Sequence, residues 1–316
     1  MLSIVIPHYN SINTLRKLLD SIPVRDDIEI IVVDDKSNKN ITEFNQLVES
    51  EKYNHVKFLK NNTNKKGAGV CRNIGLRYVT KEWILFADAD DFFMDGFVDK
   101  IKDYVDTDFD IVYFTPTSID LITNEKSDRH VVFEKLINDY LQKKDRKSEL
   151  KLRYEFPVPW SKLIKVQLIK ENDIQFDEVI AANDIMFSAK IGYHAKKITA
   201  SENVIYCVTK NKGSLTNTIS EEVFDTRLQV RINYCKYLKN KLNKDDQQHI
   251  NLRGRAMLLY SITFKLGIKK VISTYMILKK NNIEIFNKKY VNPFLLIRKI
   301  MQLYTSYNKN KKFYVK

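Results

Sequence analysis

The chain is poor in residues that mark several common protein classes. Glycine occurs only eight times in 316 residues, and none follows the first apolar run, Leu2–Pro7. A dinucleotide fold needs Gly-x-Gly-x-x-Gly at that turn, so Pro7-His-Tyr-Asn-Ser there argues against hydride transfer. Gly67-Ala-Gly69 comes later without a third glycine, and no Walker-type phosphate loop is present. The three cysteines share no ligand spacing, which excludes a zinc site and gives no disulfide framework. No run of about 18 apolar residues exists to span a bilayer, and Met1-Leu-Ser-Ile lacks a basic signal-peptide start. These absences predict a cytoplasmic location. Base-stacking and groove-reading motifs are missing too, so nucleic acid is not an expected partner.

What is present centres on Trp83-Ile-Leu-Phe-Ala-Asp88-Ala-Asp90-Asp91, an apolar run that ends in three carboxylates. Like charges this close raise one another's pKa unless a cation sits between them. Carboxylate oxygens are the ligands that Mn²⁺ or Mg²⁺ prefers. Taken alone, an Asp-x-Asp is as often a solvated acidic turn, so its surroundings decide. Those surroundings alternate. Leu2–Pro7, Ile28–Val33, Val56–Leu59, Trp83–Phe86 and Asp110–Thr115 read as strands. Between them, helical spacing joins Leu15, Leu18, Leu19 and Ile22, then Ile41, Phe44, Leu47 and Val48, then residues 68–79. This pitch predicts an α/β fold with a mostly parallel, doubly wound sheet. Its right-handed crossovers bring successive strand ends to one rim, which collects His8, Tyr9, Asn10, Asp34, Asp35, Asp88, Asp90 and Asp91.

Four motifs follow in order: Ser3-Ile-Val-Ile-Pro7-His-Tyr9-Asn10, Ile31-Val-Val-Asp34-Asp35-Lys-Ser37, Gly67-Ala-Gly-Val-Cys-Arg72-Asn73 and Phe86-Ala-Asp88-Ala-Asp90-Asp91. Together they resemble the family-2 inverting glycosyltransferases of the GT-A fold. The resemblance is firm to about Thr115, softer through Thr216 and absent beyond. It implies that Pro7 and Tyr9 line a base pocket and that Asp35 meets the uracil or ribose of a UDP-sugar. Arg72 would reach the base or diphosphate, beside Gly67 in the same loop, with Asp88 touching ribose or completing a metal shell. Asp90 would be the direct ligand of Mn²⁺ or Mg²⁺. Further on, Ala182-Asn183-Asp184-Ile-Met-Phe187 matches the segment where the family shows Glu-Asp. Asp184 then carries over as general base, and Asn183 departs from the pattern. Pro157-Val-Pro-Trp160-Ser-Lys162-Leu resembles an acceptor-side segment, in which Trp160 either stacks on sugar or anchors the core. Lys210-Asn-Lys212-Gly213-Ser214-Leu-Thr216 stands where relatives carry an arginine flap. Lys212 would offer the diphosphate only a point charge.

Charge divides the chain. Residues 221–316 carry a net +15, whereas residues 1–220 carry −1. Stretches 258–264 and 294–303 read as amphipathic helices flanked by lysine, suited to an anionic membrane surface. The expected organisation is therefore a GT-A catalytic domain over 1–216, with a nucleotide-binding half (1–115) and an acceptor-side half (116–216). A basic helical extension over 217–316 follows. The function this implies is metal-dependent, inverting transfer of a hexose from UDP-glucose or UDP-galactose. The expected acceptor is a lipid-linked saccharide such as N-acetylglucosaminyl-diphospho-undecaprenol, β-linked on the way to O-antigen or capsule. The enzyme would sit peripherally on the cytoplasmic face of the inner membrane. Two rivals remain open: a sugar nucleotidyltransferase, which wants a glycine-rich loop after the first strand, and a non-catalytic lipid or polyanion binder on a transferase-like core.

Overall fold

The computed structural model describes residues 1–210 and 220–285, with positions 294, 295, 297, 298, 301 and 305. The chain divides into two compact units, Met1–Lys210 and Asn211–Lys316.

The first unit opens with the expected alternation: β1 (Leu2–His8), α1 (Ile12–Asp20), β2 (Ile28–Asp34), α2 (Ile41–Glu49), β3 (Val56–Lys60), α3 (Ala68–Leu76) and β4 (Trp83–Phe86). All seven residues of β1 are buried, as befits an inner strand of a parallel sheet covered on both faces. Helix α1 buries Ile12, Leu15, Leu18 and Leu19, a stripe at helical spacing that seats it on the core. Strands β3, β2, β1 and β4 lie side by side and parallel. His8 pairs in register with Asp34, and Val5 with Phe86. One rim thus receives the ends of three strands. Trp83 and Phe86 are fully buried, each contributing about 1.5–3 kcal/mol of apolar burial.

The second half departs from the expected pattern. It contains β5 (Phe92–Phe93), α4 (Phe97–Val105), β6 (Ile111–Asp120), α5 (Val131–Lys143), α6 (Arg146–Glu155), β7 (Lys162–Lys165), α7 (Val166–Glu171), α8 (Ile185–His194) and β8 (Ile198–Lys210). The sheet runs β3-β2-β1-β4-β7-β6-β8-β5. Strand β7 inserts antiparallel between β4 and β6, so the fifth expected strand does not sit beside the fourth. Strand β6 extends to Asp120, past two register shifts around Thr115 against β8, where Pro116 is tolerated because the ladder is already broken. The two-residue β5 follows Asp91 directly and pairs antiparallel with β8, Phe93 opposite Tyr206. That pairing fastens the acidic loop to the far edge of the sheet.

The second unit contains α9 (Glu221–Lys241), α10 (Lys244–His249), α11 (Arg255–Thr263) and α12 (Ile268–Lys280). Ser220 and Asn243 cap α9 and α10 by accepting the Val223 and Asp246 backbone N–H groups. Among the described residues no helix is long and apolar enough to cross a membrane.

Candidate active site

The three neighbouring carboxylates have separate surroundings. Asp91 is buried and accepts hydrogen bonds from the Tyr206 hydroxyl (3.0 Å) and the Thr209 backbone N–H (2.7 Å). The Tyr206 oxygen in turn accepts the Asp88 backbone N–H at 2.8 Å, and the Thr209 hydroxyl donates to the Asp90 carbonyl at 2.7 Å. Asp91 is thus the pin that fixes the acidic loop to β8. Burial raises its pKa well above the usual carboxylate range, and Asp90 and Asp88 add to this. Asp88 is half-buried and takes the Arg72 guanidinium at 2.5 Å. Asp90 is half-buried and, among the described residues, its carboxylate has no ion pair or hydrogen bond to another residue. Burial, then the charge of Asp88, pushes its pKa up to about 6, while Arg129 opposes the rise.

A carboxylate left unmatched in this way suits a hard cation. Among the described residues no group of three or more His, Cys, Asp or Glu is arranged to hold a metal. Asp90 and the second oxygen of Asp88 offer only a partial shell, of the kind a diphosphate would complete.

On the nucleotide side, Pro7 lies buried in β1, while Tyr9 is exposed with the Lys66 ammonium 5.2 Å over its ring. Both Asp35 oxygens are engaged within the protein. One accepts the Asn61 side-chain amide and the other the Gly67 backbone N–H, each at 2.7 Å. Gly67 holds φ +126° as it opens α3, a conformation that side-chain-bearing residues rarely adopt. Asp35 therefore holds the loop that leads into α3. Arg72 is also occupied: 4% exposed, it donates to Asp88 through one terminal nitrogen and to Asn183 (2.8 Å) through the other. It lies over the Phe176 ring. The next residue, Asn73, clasps the Phe176 backbone with bonds of 3.0 and 2.9 Å. Arg72 and Asn73 thus staple segment 176–183 onto α3.

That segment delivers Asp184, the residue preceding α8. Ala182 takes φ +58° just before it, an unusual backbone for a β-carbon-bearing residue. Packing enforces the turn, because a β-carbon on Gly69 would lie 2.3 Å from the Asp177 carbonyl and 2.9 Å from the Asn183 β-carbon. Asp184 caps α8 without a side-chain hydrogen bond to its backbone. Burial raises its pKa, Arg72 pulls it down, Asp88 adds to the rise and Lys162 opposes it. Beneath lies Lys162, fully buried, donating to the Phe156 carbonyl (2.6 Å) and the Ser188 hydroxyl (3.1 Å). Burial lowers its pKa to about 7 against the attraction of Asp184.

Trp160 is 3% exposed, its ring stacked on Tyr206 and edge-on to Phe133. This is the core-anchor alternative, and it leaves no ring face for a sugar. Lys212 lies outside the described residues. Sequence reasoning passed over Tyr206, Thr209, Asn61 and Arg129, because each stands alone in a run without a motif and gains meaning only through pairing distant in sequence.

Comparison with known proteins follows this geometry. The glycosyl transferase family 2 profile matches residues 3–172. The chain is 27% identical over 221 residues to the poly(ribitol-phosphate) beta-N-acetylglucosaminyltransferase TarS of Staphylococcus aureus, covering 67% of this chain and 36% of that protein. It is 31% identical over 221 residues to a poly(ribitol-phosphate) beta-glucosyltransferase of Bacillus spizizenii, covering 65% and 31%. The chain thus spans about a third of the length of these curated relatives. The crystal structure of TarS residues 1–349 with UDP-GlcNAc superposes with a TM-score of 0.65 at 21% identity, covering 85% of this chain and 77% of that one. A mannosyltransferase of Pyrobaculum calidifontis, solved with GDP-Man and Mn²⁺, gives 0.54 at 15% identity, covering 99% and 83%. The architecture is that of GT-A glycosyltransferases, and the chain belongs to glycosyl transferase family 2.

Proposed function

We propose that this protein transfers a hexose or N-acetylhexosamine from a UDP-sugar to a hydroxyl of a phosphate-bearing acceptor, with inversion. The observation that carries this reading is the Arg72 brace. One guanidinium spans Asp88 and Asn183, and so joins the acidic loop to the segment that presents Asp184. A leaving-group side and a proton-accepting side then share one rim.

In this mechanism the acceptor oxygen attacks the anomeric carbon while its proton passes to Asp184 and the bond to the diphosphate breaks. Burial raises the Asp184 pKa and makes its carboxylate a better proton acceptor, while Arg72 opposes the rise. Attack opposite the departing diphosphate converts an α-linked donor into a β-linked product. Bound Mn²⁺ or Mg²⁺, held by Asp90 with Asp88 behind it, would supply positive charge for the departing diphosphate. Tyr206, Thr209 and Asp91 hold the acidic loop still while this happens.

TarS and the Bacillus enzyme, named for poly(ribitol-phosphate), support an anionic acceptor. Such a polymer is therefore a candidate acceptor alongside the lipid-diphosphate sugar expected from sequence. The net +15 over 221–316 suits either polyanion. Helix α12 exposes Ile268, Ile272 and Met276 near Lys269 and Lys280, a face suited to peripheral contact with an anionic membrane. The test offers UDP-GlcNAc, UDP-glucose and UDP-galactose, each with poly(ribitol phosphate) or a GlcNAc-diphospho-lipid. Reactions run with Mn²⁺ or EDTA, and products are weighed by mass spectrometry. A single-sugar mass increment lost in EDTA is expected. Metal-independent turnover, or none with any donor, overturns the reading.

A further inference from the structure

Arg129 has a different environment from Arg72. It lies in the connection between β6 and α5, on a segment pinned to Ser118 of β6 from both sides. Ser127 donates from its hydroxyl to that of Ser118 (2.7 Å), and its backbone N–H donates to the Ser118 carbonyl (2.9 Å). On the other side, His130 Nδ1 lies 2.7 Å from the Ser118 hydroxyl, and its ring is buried. Arg129 between them is half-buried and donates one N–H to the Thr209 carbonyl. Thr209 is the residue whose other two polar groups hold Asp90 and Asp91. The guanidinium is therefore mounted beside the acidic loop, on a rigid support, and its field reaches both Asp90 and Asp91.

Among the described residues it forms no ion pair, and its single hydrogen bond leaves four of five N–H groups uncommitted. Arg72, by contrast, is 4% exposed and already bridges Asp88 and Asn183, so little of its guanidinium faces outward. A fork with open donors is the geometry that recognises a phosphate oxyanion, and its charge offsets the repulsion that Asp90 and Asp91 would exert on such a ligand.

We propose that Arg129 is the phosphate-binding guanidinium of this site, receiving either the donor's diphosphate or a phosphodiester of the acceptor. The proposal rests on the transferase reading and adds to it a residue that no motif marks.

The full chain and its Arg129→Gln and Arg129→Lys variants are titrated calorimetrically with UDP plus Mn²⁺ and, separately, with soluble poly(ribitol phosphate). Thermal unfolding is followed in parallel. Loss of one charge-assisted fork predicts a weakening of about tenfold or more in Arg129→Gln, partly restored in Arg129→Lys. Weakened UDP binding assigns the donor diphosphate; unchanged UDP with weakened polymer binding assigns the acceptor phosphate. If both affinities match wild type and only the melting temperature falls, Arg129 is a structural pin for Thr209 and the proposal is wrong. A wild-type chain that binds neither ligand overturns the transferase reading and this proposal together.

Discussion

Strands β1, β2 and β4 end in polar groups that project from a parallel sheet, whereas β5, β6, β7 and β8 contribute mainly by bracing. Asp90 illustrates the first half: a carboxylate in the loop that follows β4, with no hydrogen-bonding or ion-pair partner among the described residues, its pKa raised to about 6 by burial and by Asp88. Tyr206 and Thr209 illustrate the second. Both are fully buried in β8, and their hydrogen bonds go to Asp88, Asp90 and Asp91. A parallel sheet delivers groups to one rim by topology alone. Holding several carboxylates in one place against their repulsion requires a second set of elements that neutralise and clamp them. In the proposed mechanism the metal-facing carboxylates come from the first half, and the second half fixes their geometry.

The comparison is tested first by Asp184, the exception that arises in the second half yet is assigned chemistry. Asp184→Asn is expected to lower transfer by up to about 10⁴-fold, the upper range for a general base, while UDP affinity by calorimetry stays nearly unchanged. Persistent transfer would reduce Asp184 to a helix-capping residue. Asp90→Ala is expected to cost about 10³-fold, corresponding to several kcal/mol of charge stabilisation, and to remove the response to Mn²⁺ in initial-rate assays. A variant that still answers to the metal would place the ligand elsewhere.

Bracing residues should announce themselves through stability. Tyr206→Phe strands the Asp88 N–H and one Asp91 oxygen, and denaturant unfolding should show a loss of about 1–3 kcal/mol. Lys162→Met gives the most diagnostic effect, one read from a slope against pH. The folded pKa of Lys162 is depressed to about 7 from 10.5, so between these values the unfolded chain binds the extra proton. Wild-type stability should therefore rise with pH across that window, by up to about 1.4 kcal/mol per pH unit, relative to the methionine variant. Parallel pH profiles for the two proteins would show that Lys162 keeps its ordinary pKa.

The same contrast explains what could be read before folding. Continuous β-branched runs such as Ile28–Val33 and helical spacing at Leu15, Leu18 and Leu19 are local signals, and β1 to β4 with their helices stand where those signals put them. Strand β7 begins with a lysine that only a buried carbonyl and hydroxyl make tolerable. Strand β5 is two residues long. Neither carries a period to detect, and both depend on partners distant in sequence: β7 pairs with β6 and β4, β5 with β8. The site divides likewise. The acidic loop was visible as a cluster, but the use of both Asp35 oxygens by Asn61 and Gly67, and of both Arg72 ends by Asp88 and Asn183, follows from loop closure. Sequence spacing does not record it.

Gly69 has a wider consequence. Its missing side chain lets α3 and the 177–183 turn touch, so in the proposed mechanism the spacing between the acidic loop and Asp184 is moulded by this contact. A single methyl at position 69 would act as a wedge, prising the 177–183 turn outward without altering one charge.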